Sequence, residues 1–217
     1  MIARILAAGR GERLRPLTND TPKALVEVRG RSLLERHLDR LAGAGIKTVV
    51  INLGWLGDRI FERVGSGDEY GLDVIYSPEG DNILETGGGI HRALPLLGQD
   101  PFLVVNADIY TDMPLPPAGL ADADACHLVL VPKPAHKQHG DFDLSNGRVC
   151  EGENPAYTFS GVAIYRPAFF AGCEPGRFPL APMLKAAARA GRVAGSLYEG
   201  LWEDVGTPER LADLNRR

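Results

Sequence analysis

Short apolar runs alternate with amphipathic segments through the first 110 residues of the chain. The apolar runs are rich in Val, Ile and Leu, as is typical of buried strands. Strands are predicted at 2–8, 47–53, 72–76 and 102–106. The segments between them predict helices at 33–43, around 60–64 and at 85–97. Such alternation indicates parallel strands with helices on both faces of the sheet.

Local signals mark where two of these helices lie. Ser32 and Glu35 have the spacing of a capping box, so a helix is predicted to begin after Ser32 and to stop at the glycines that follow it. On the shorter helix, Ile60, Phe61 and Val64 are expected to face the core together. Both segments are therefore predicted to pack one apolar face against the sheet.

The second half of the chain does not continue the regular alternation of strands and helices. Residues 113–125 are rich in Pro and predict a surface connection, and Asn146-Gly147 predicts a hairpin turn. Thr207 and Pro208 have the pattern of an N-cap followed by the first helical position. Further strands are predicted at 127–131, 157–165 and 202–205, and a helix at 180–190. No repeat or clean linker interrupts the chain, so one domain over residues 1–217 is predicted.

Composition and charge narrow the class of protein. The 217 residues are 44% hydrophobic and 24% charged, which is typical of a soluble globular domain. The net charge is −4, and the basic residues gather near the N-terminus rather than in a stripe. Aromatic residues make up only 7%. No nucleic-acid partner is therefore expected.

Three features of the sequence indicate in which cellular compartment the protein is found. No stretch is long and apolar enough for a membrane span, and the first residues do not resemble a signal peptide, so no membrane partner is expected. The three cysteines lack CxxC spacing, which argues against a zinc site and a disulfide framework. These features predict a cytoplasmic protein. The oligomeric state is left open, with a monomer among the options.

Residues 6–23 carry the clearest chemical signal. A strand leads into a glycine-rich turn, whose backbone N–H groups can cradle phosphate. A dinucleotide-binding GxGxxG would need glycine where Leu14 stands, and a Walker A loop would need Gly-Lys-Ser/Thr. A plain structural turn stays open as an alternative. However, Arg13, Arg15 and Lys23 follow the turn and are expected to converge on polyphosphate oxygens.

The pattern GxGxRLxPLTxxxPK, here Gly9–Lys23, resembles the signature of the sugar-1-phosphate nucleotidyltransferases. Later landmarks fall in the family's order: the Asn-Ala-Asp segment 106–108 follows a predicted strand, and WEDVGT at 202–207 resembles a late W-x-D-x-G-T element. The resemblance implies an α/β fold, a three-layer sandwich around a mixed, mostly parallel central sheet of Rossmann-like type. It also implies a nucleotide-binding half at 1–112 and a sugar-phosphate-binding half at 113–217.

The resemblance further implies a set of site residues. The expected catalytic residues are Lys23, Arg13 and Asp108. Nucleotide contacts are expected from the glycine loop, its basic residues and a later Thr-Gly pair: Ala8, Gly9, Gly11, Glu12, Arg13, Lys23, Thr86, Gly87 and Asn106. Sugar contacts are expected from Asn106, Asp141 and Gly161.

Mg²⁺ is the expected cofactor, with Asp108 and Asp204 as its ligands. Elementary chemistry agrees, because Mg²⁺ in phosphate-transfer sites takes one or two carboxylates and completes its shell with phosphate and water. His136 and His139 lie in a Pro- and Gly-bounded loop and are interpreted as solvated, and it is doubtful that Lys133 grips the sugar phosphate.

The implied substrates are UTP and a sugar 1-phosphate. The stretch Ile83–Ile90 is expected to pack under the nucleobase, because its three glycines permit close approach. Its Glu-Thr-Gly-Gly-Gly run and the short chain are most similar to the family's uridylyltransferases of bacterial peptidoglycan recycling, which implies N-acetylmuramate 1-phosphate as the sugar substrate.

Several alternatives stay open. Within the family, these are a guanylyltransferase for mannose 1-phosphate and a thymidylyltransferase for glucose 1-phosphate. A choline-phosphate cytidylyltransferase would need an aromatic cage, for which four residues are available: Trp55, Tyr76, Tyr157 and Trp202. A non-catalytic nucleotide-sugar sensor is a further option.

Overall fold

The computed structural model describes residues 1–80, 84–117 and 119–217. Its strands are β1 (Ala3–Leu6), β2 (Glu27–Val28), β3 (Arg31–Ser32), β4 (Thr48–Leu53), β5 (Asp73–Pro78), β6 (Phe102–Asn106), β7 (Ile109–Thr111), β8 (Cys126–Pro132), β9 (Asp143–Ser145), β10 (Arg148–Cys150), β11 (Tyr157–Tyr165), β12 (Val193–Leu197) and β13 (Trp202–Asp204). Its α-helices are α1 (Leu33–Gly43), α2 (Gly57–Val64), α3 (Glu85–Leu97), α4 (Ala181–Arg189) and α5 (Pro208–Arg216). Ile83 and Ala118, which belong to two of the segments interpreted above, lie outside the described residues.

Nine strands of the described residues form one sheet in the order β5-β4-β1-β6-β11-β8-β12-β10-β9. The first four are parallel, as the alternating pattern predicted. β11 then runs antiparallel to both of its neighbours, β6 and β8, whereas β12 is parallel to β8. The sheet is therefore mixed, and it contains strands from both sides of residue 112.

Helices cover both faces of this sheet, so the predicted three-layer α/β class is confirmed. One core cluster packs α1 and α2 against one face, through residues such as Leu34, Leu38 and Ile60. The other packs α3 and α4 against the opposite face, through residues such as Ile90 and Leu184. A smaller cluster joins α5 to β2. No helix of the described residues has the length and apolarity needed to cross a membrane.

Several local predictions are confirmed in atomic detail. Ser32 caps α1, and both hydrogen bonds of the capping box with Glu35 are present. The side chain of Thr207 accepts a hydrogen bond from the backbone N–H of Arg210, which caps α5. Asn146 and Gly147 both have positive φ, at 50° and 73°, and join β9 to β10 as a hairpin turn requires.

The prediction for Phe61 is wrong. Ile60 and Val64 are buried on α2, but Phe61 is 55% exposed and packs edge-on against Tyr76, with the ring centroids 5.2 Å apart. Because Ile60 and Phe61 are consecutive, they lie about 100° apart around the helix axis. The buried face of α2 therefore excludes Phe61.

The topology brings the ends of three strands to one edge of the sheet. β1 lies between β4 and β6, with Ala3 in register with Val49 on one side and with Leu103 on the other. Since the three strands are parallel, the loops that follow them meet at their carboxyl ends. Ligands bind at this edge in open α/β sheets.

Candidate active site

A cavity of about 200 Å³ opens at the carboxyl ends of β1, β4 and β6. Two strand-end asparagines, Asn52 and Asn106, contribute to its wall. The described residues that line it are Leu6, Ala7, Ala8, Gly9, Lys23, Ala24, Asn52, Glu79, Glu85, Thr86, Asn106, Ala107 and Asp108. Its wall combines apolar surface with several polar side chains, as is typical of a small-molecule site.

A buried polar network fixes the wall of this cavity. Asn52 Oδ1 accepts a hydrogen bond from the Ala7 N–H at 2.5 Å, and Asn52 Nδ2 donates to Glu79 Oε1 at 2.6 Å. Glu79 Oε2 accepts from the Leu84 N–H at 2.9 Å. The network therefore ties the loop after β1 to the ends of β4 and β5 and to the start of α3.

Arg4 lies behind that network, in the middle of the apolar strand β1. Its side chain is fully buried, and Nη2 donates to the carbonyl oxygen of Gly89 at 2.6 Å. Burial lowers the pKa of Arg4 to about 10, and the Glu79 carboxylate partly opposes this effect. Arg4 consequently stays charged at neutral pH and balances the buried carboxylate of Glu79.

A second cavity, of about 440 Å³, continues from the first along the glycine-rich loop. Its described lining is Gly9, Arg10, Gly11, Glu12, Arg13, Lys23, Asp108 and Gly206. Gly11 has φ +63°, and a Cβ there would lie 2.9 Å from Thr18 Cγ2, so this turn requires glycine. Thr18 Oγ1 closes the turn by donating to the carbonyl oxygen of Gly11 at 2.8 Å.

The basic residues of the loop only partly converge. Arg13 and Lys23 line the second cavity, and Lys23 also lines the first. Arg15, expected to join them, is exposed and is not part of the lining of either cavity within the described residues. Two of the three expected cations are thus placed where a polyphosphate could run along the loop.

Asp108 and Asp204 are brought together by β7 and β13. These strands pair antiparallel, with Asp204 opposite Ile109, and the Val205 N–H donates to the carbonyl oxygen of Asp108 at 2.9 Å. The Asp108 carboxylate forms an ion pair with Lys23 Nζ. Asp204 Oδ1 forms one with Arg210 Nη1 at 2.5 Å. Two carboxylates that are 96 residues apart in sequence therefore lie at the paired ends of neighbouring strands, close to the glycine-rich loop.

A third cavity, of about 340 Å³, shares Glu85, Thr86 and Asn106 with the first. The rest of its described lining is Phe159, Pro179, Leu180, Ala181 and Leu184. Gly161 supports its wall, because it has φ +84° and a Cβ there would lie 2.7 Å from Asn106 Nδ2. The three cavities form one groove that runs from the β1–β4 side of the sheet towards α4.

Asp141 lies beside this groove without lining any of its three cavities, as far as the described residues define them. Its Oδ2 accepts hydrogen bonds from the Phe159 N–H at 2.9 Å and from Lys137 Nζ at 3.1 Å. These contacts make Asp141 a support for β11 and for the loop before β9. In this arrangement the Asp141 carboxylate is engaged by its own loop and by β11.

The glycine run at the start of α3 packs against the protein itself. A Cβ at Gly87 would lie 2.5 Å from the ring of Phe178, and one at Gly88 would overlap the carbonyl oxygen of Gly176. The Gly88 N–H donates to Phe178 O at 3.1 Å, and the Phe178 N–H donates to Leu84 O at 3.2 Å. Residues 176–178 therefore fill the space that a side chain at Gly87 or Gly88 would occupy, and Glu79 fills it at Gly89.

Thr86 and its neighbour Glu85 do face the groove. Glu85 is the first residue of α3 and has φ +59°, a left-handed conformation that costs a non-glycine residue about 1–2 kcal/mol. Its carboxylate lines the first and third cavities and pairs with Arg177 Nε at 2.8 Å. The strain therefore sits where the two cavities join.

The comparisons with known proteins agree with this geometry. The family model of the MobA-like NTP transferase domain matches residues 3–136. N-acetylmuramate alpha-1-phosphate uridylyltransferase of Neisseria meningitidis serogroup B is 49% identical and covers 98% of this chain and 96% of its own length. The chain belongs to the sugar-1-phosphate nucleotidyltransferase family. A protein of the same name from Caulobacter vibrioides is 39% identical, over 96% of this chain and 93% of its own.

Solved structures share the fold of this nucleotidyltransferase. HddC from Yersinia pseudotuberculosis has a TM-score of 0.78 at 20% identity, over 99% of this chain and 98% of its own. A UDP-glucose pyrophosphorylase complexed with UDP-glucose has a TM-score of 0.76 at 17% identity, over 99% and 97% of the two chains. Both likenesses confirm the predicted fold class.

The acidic pair of the nucleotidyltransferase fits a divalent cation of the magnesium type. Within the described ranges, no three His, Cys, Asp or Glu side chains gather closely enough to hold an ion by themselves. Mg²⁺ needs no such cage, because it is commonly held by one or two carboxylates plus substrate phosphate and water. Asp108 lines the first and second cavities, whereas Asp204 is not part of the described lining of any of the three. The two side chains are 34% and 24% exposed, so their hard oxygen donors are accessible to solvent.

Sequence reasoning missed several residues of the site. Asn52 and Glu79 form the buried network, Arg4 lies behind it, and the half-exposed His136 lies near Asp204. A polar residue inside an apolar strand was the available signal for Arg4 and Asn52.

The aromatic cage expected of a choline enzyme does not form around the groove. None of its four candidate aromatics lines the three cavities in the part of the chain that the structure describes.

Proposed function

We propose that this nucleotidyltransferase transfers the uridylyl group of UTP to N-acetylmuramate 1-phosphate, giving UDP-N-acetylmuramate and pyrophosphate. The observation that carries the proposal is the 49% identity over nearly the full length of a protein with that activity in its name. A second protein of the same name, at 39% identity, supports it. The groove supports it too, because its three joined cavities suit a base, a polyphosphate and a sugar.

The reaction needs no protein nucleophile. A phosphate oxygen of the sugar 1-phosphate attacks the α-phosphorus of UTP in line, and the bond from that phosphorus to the oxygen bridging to the β-phosphate breaks. Pyrophosphate leaves with that oxygen. Charge accumulates on the phosphoryl oxygens, so the protein accelerates the step by positioning the substrates and by electrostatic stabilisation.

The roles of the chain's residues follow from their places in the groove. Gly9, Gly11 and Arg13 hold the β- and γ-phosphates, a role supported by their lining of the second cavity. Lys23 neutralises the α-phosphate, which is supported by its position on both the first and second cavities. Glu12 and the backbone of Ala8 complete the nucleotide contacts.

The remaining contacts divide between the cation, the base and the sugar. Asp108 and Asp204 would hold Mg²⁺, which would supply positive charge to the reacting phosphates. Thr86 and Gly87 contact the uracil, and Asn106 serves both substrates, since it lines the first and third cavities. Gly161 and Asp141 complete the sugar side, Gly161 by leaving room for Asn106 and Asp141 through its contact with β11.

On this proposal, residues 1–112 bind the nucleotide and residues 113–217 bind the sugar phosphate. We further propose a cytoplasmic role in bacterial peptidoglycan recycling. It is supported by the cysteines Cys126, Cys150 and Cys173, which are all free thiols and suit a reducing compartment.

Pyrophosphate release measured over a matrix of substrates tests the proposal. UTP, dTTP, GTP and CTP are each combined with N-acetylmuramate 1-phosphate, N-acetylglucosamine 1-phosphate, glucose 1-phosphate, mannose 1-phosphate and phosphocholine. We expect the highest kcat/KM for UTP with N-acetylmuramate 1-phosphate. A higher value for any other pair overturns the substrate assignment.

A further inference from the structure

The loop between β8 and β9 brings a histidine to the acidic pair. His136 Nε2 lies 3.7 Å from Asp204 Oδ1, and the imidazole is 37% exposed. That separation is longer than a hydrogen bond, so the Nε2 atom keeps its capacity for another partner. His136 thus lies beside a proposed metal ligand, at the margin of the groove, and it is not part of the described lining of the three cavities.

The loop that carries His136 is held in place by its backbone. The Gly140 N–H donates to Pro155 O at 3.0 Å, and the Asp141 N–H donates to Tyr157 O at 2.6 Å. A Cβ at Gly140 would lie 2.6 Å from Pro155 O, so only glycine permits this approach to the start of β11. The position of His136 is therefore set by a fixed loop rather than by a freely solvated one.

Side chains reinforce the same loop. Asp141 Oδ2 accepts hydrogen bonds from the Phe159 N–H at 2.9 Å and from Lys137 Nζ at 3.1 Å. Lys133 Nζ donates to the carbonyl oxygen of Lys137 at 2.8 Å. Both lysines of the loop are consequently engaged within it, and neither is directed at Asp204 by these contacts.

Two further cations near the acidic pair, Arg210 and Lys23, are also engaged. Arg210 pairs with Asp204 at 2.5 Å, and Lys23 pairs with Asp108. A sugar 1-phosphate carries a phosphate that the proposed reaction brings to this side of the groove. The N–H of His136 is a donor of the kind that a phosphate oxygen accepts.

We propose that His136 binds the phosphate of the sugar 1-phosphate substrate, and that Asp141 is a positioning residue that holds the His136 loop. The inference rests on the proposed function, because it needs a sugar phosphate in the groove. It assigns the contact that no lysine of the loop provides, and it explains why Asp141 is turned towards β11 instead of the groove.

The test measures steady-state kinetics and nucleotide binding for His136→Ala, His136→Gln and a matched control. His139→Ala is the control, since His139 lies in the same loop and its Nδ1 contacts Asn154 Oδ1 at 3.1 Å. Glutamine places an amide N–H near the position of Nε2, so it should restore part of the contact. Calorimetric titration with UTP reports whether the nucleotide site is intact.

We expect His136→Ala to raise the KM for the sugar 1-phosphate by about tenfold to a hundredfold, the effect of one hydrogen bond to a charged group. UTP affinity should stay within about twofold, and His136→Gln should recover a substantial part of the loss. Unchanged sugar-phosphate KM in His136→Ala overturns the inference, as does an equal loss of UTP affinity or an equal effect of His139→Ala.

Asp141→Asn separates positioning from direct contact. If Asp141 acts through His136, Asp141→Asn raises the same KM, and adding it to His136→Ala produces little further change. Fully additive effects contradict the positioning role. All assays use the sugar phosphate that the wild type turns over best, so a wild type that prefers another substrate defeats the proposed function without deciding the role of His136.

Discussion

Replacing Gly88 by alanine sets helix propensity against tertiary packing. In an isolated helix the change from glycine to alanine is favourable by about 1 kcal/mol. In α3, however, the added Cβ would overlap the carbonyl oxygen of Gly176, well inside the 3.4 Å at which ordinary contacts begin. Because the overlap is with backbone, the segment 176–178 must move away from the helix.

The cost follows from the contacts that this movement breaks. The hydrogen bonds from the Gly88 N–H to Phe178 O and from the Phe178 N–H to Leu84 O are worth about 1 kcal/mol each. Overpacking of a closed contact costs a further 1–3 kcal/mol or so. After the gain in propensity, we expect Gly88→Ala to lower the free energy of unfolding by about 2–4 kcal/mol.

Thermal unfolding followed by circular dichroism measures this effect. At this chain length each kcal/mol shifts Tm by about 2–4 °C, so a decrease of roughly 4–16 °C is expected. Gly43→Ala is the matched control, since Gly43 ends α1 and a Cβ there would meet nothing within 4 Å. The reasoning is refuted if Gly88→Ala matches or exceeds the wild-type Tm.

Three further predictions concern the site and its surroundings. Lys23→Ala and Asp108→Asn should each lower turnover by about 10² or more, because each removes an electrostatic contact to the reacting phosphates; pyrophosphate release measures it. Gly161→Ala should raise the KM for the sugar phosphate and lower Tm, since its Cβ would lie 2.7 Å from Nδ2 of Asn106 in a left-handed backbone. Burial lowers the pKa of His37 from 6.5 to about 3. Between these pH values His37 is protonated in the unfolded chain but not in the folded chain, so the free energy of unfolding should decrease as the pH drops from 6.5 towards 3. His37→Gln should flatten this dependence in denaturant titrations.

Each of these has a clear contrary result. Near-normal turnover in folded Lys23→Ala and Asp108→Asn would remove the proposed catalytic roles. Wild-type Tm and KM in Gly161→Ala would show that the wall of the third cavity tolerates a side chain. A pH profile of His37→Gln identical to that of the wild type would mean that other groups set the acid limit.

The elements that could be predicted from the sequence are those with strong local signals. Examples are the capping box at Ser32, the Asn146-Gly147 turn and the Thr207 cap. Each depends only on residues that are close in sequence, so the local sequence is enough to predict it. β12 was missed because Val193–Leu197 contains Gly195 and Ser196, which are weak strand formers. Its pairing with β8 decides its conformation, and that partner is more than 60 residues away in sequence.

The residues of the candidate site also fall into two groups, those that local sequence patterns predict and those that they do not. The glycine-rich loop and Asp108 belong to short, continuous sequence patterns, and in the structure they line the same cavity. Glu79 bonds to Asn52, and His136 lies near Asp204, although both partners are distant in sequence. Such contacts depend on how strands are ordered in the sheet, which local patterns do not determine.

The contact between the glycine run and residues 176–178 bears on how the chain can be divided. The matched family region ends at residue 136, before this covering segment. A fragment ending there would keep the Gly87–Gly89 segment of α3 but lose the hydrogen bonds that Phe178 makes with Gly88 and Leu84. Each of those glycines disfavours a helix by about 1 kcal/mol relative to alanine. A fragment ending at residue 136 is therefore expected to be less stable than the whole chain, because part of the groove wall is built by the residues that follow.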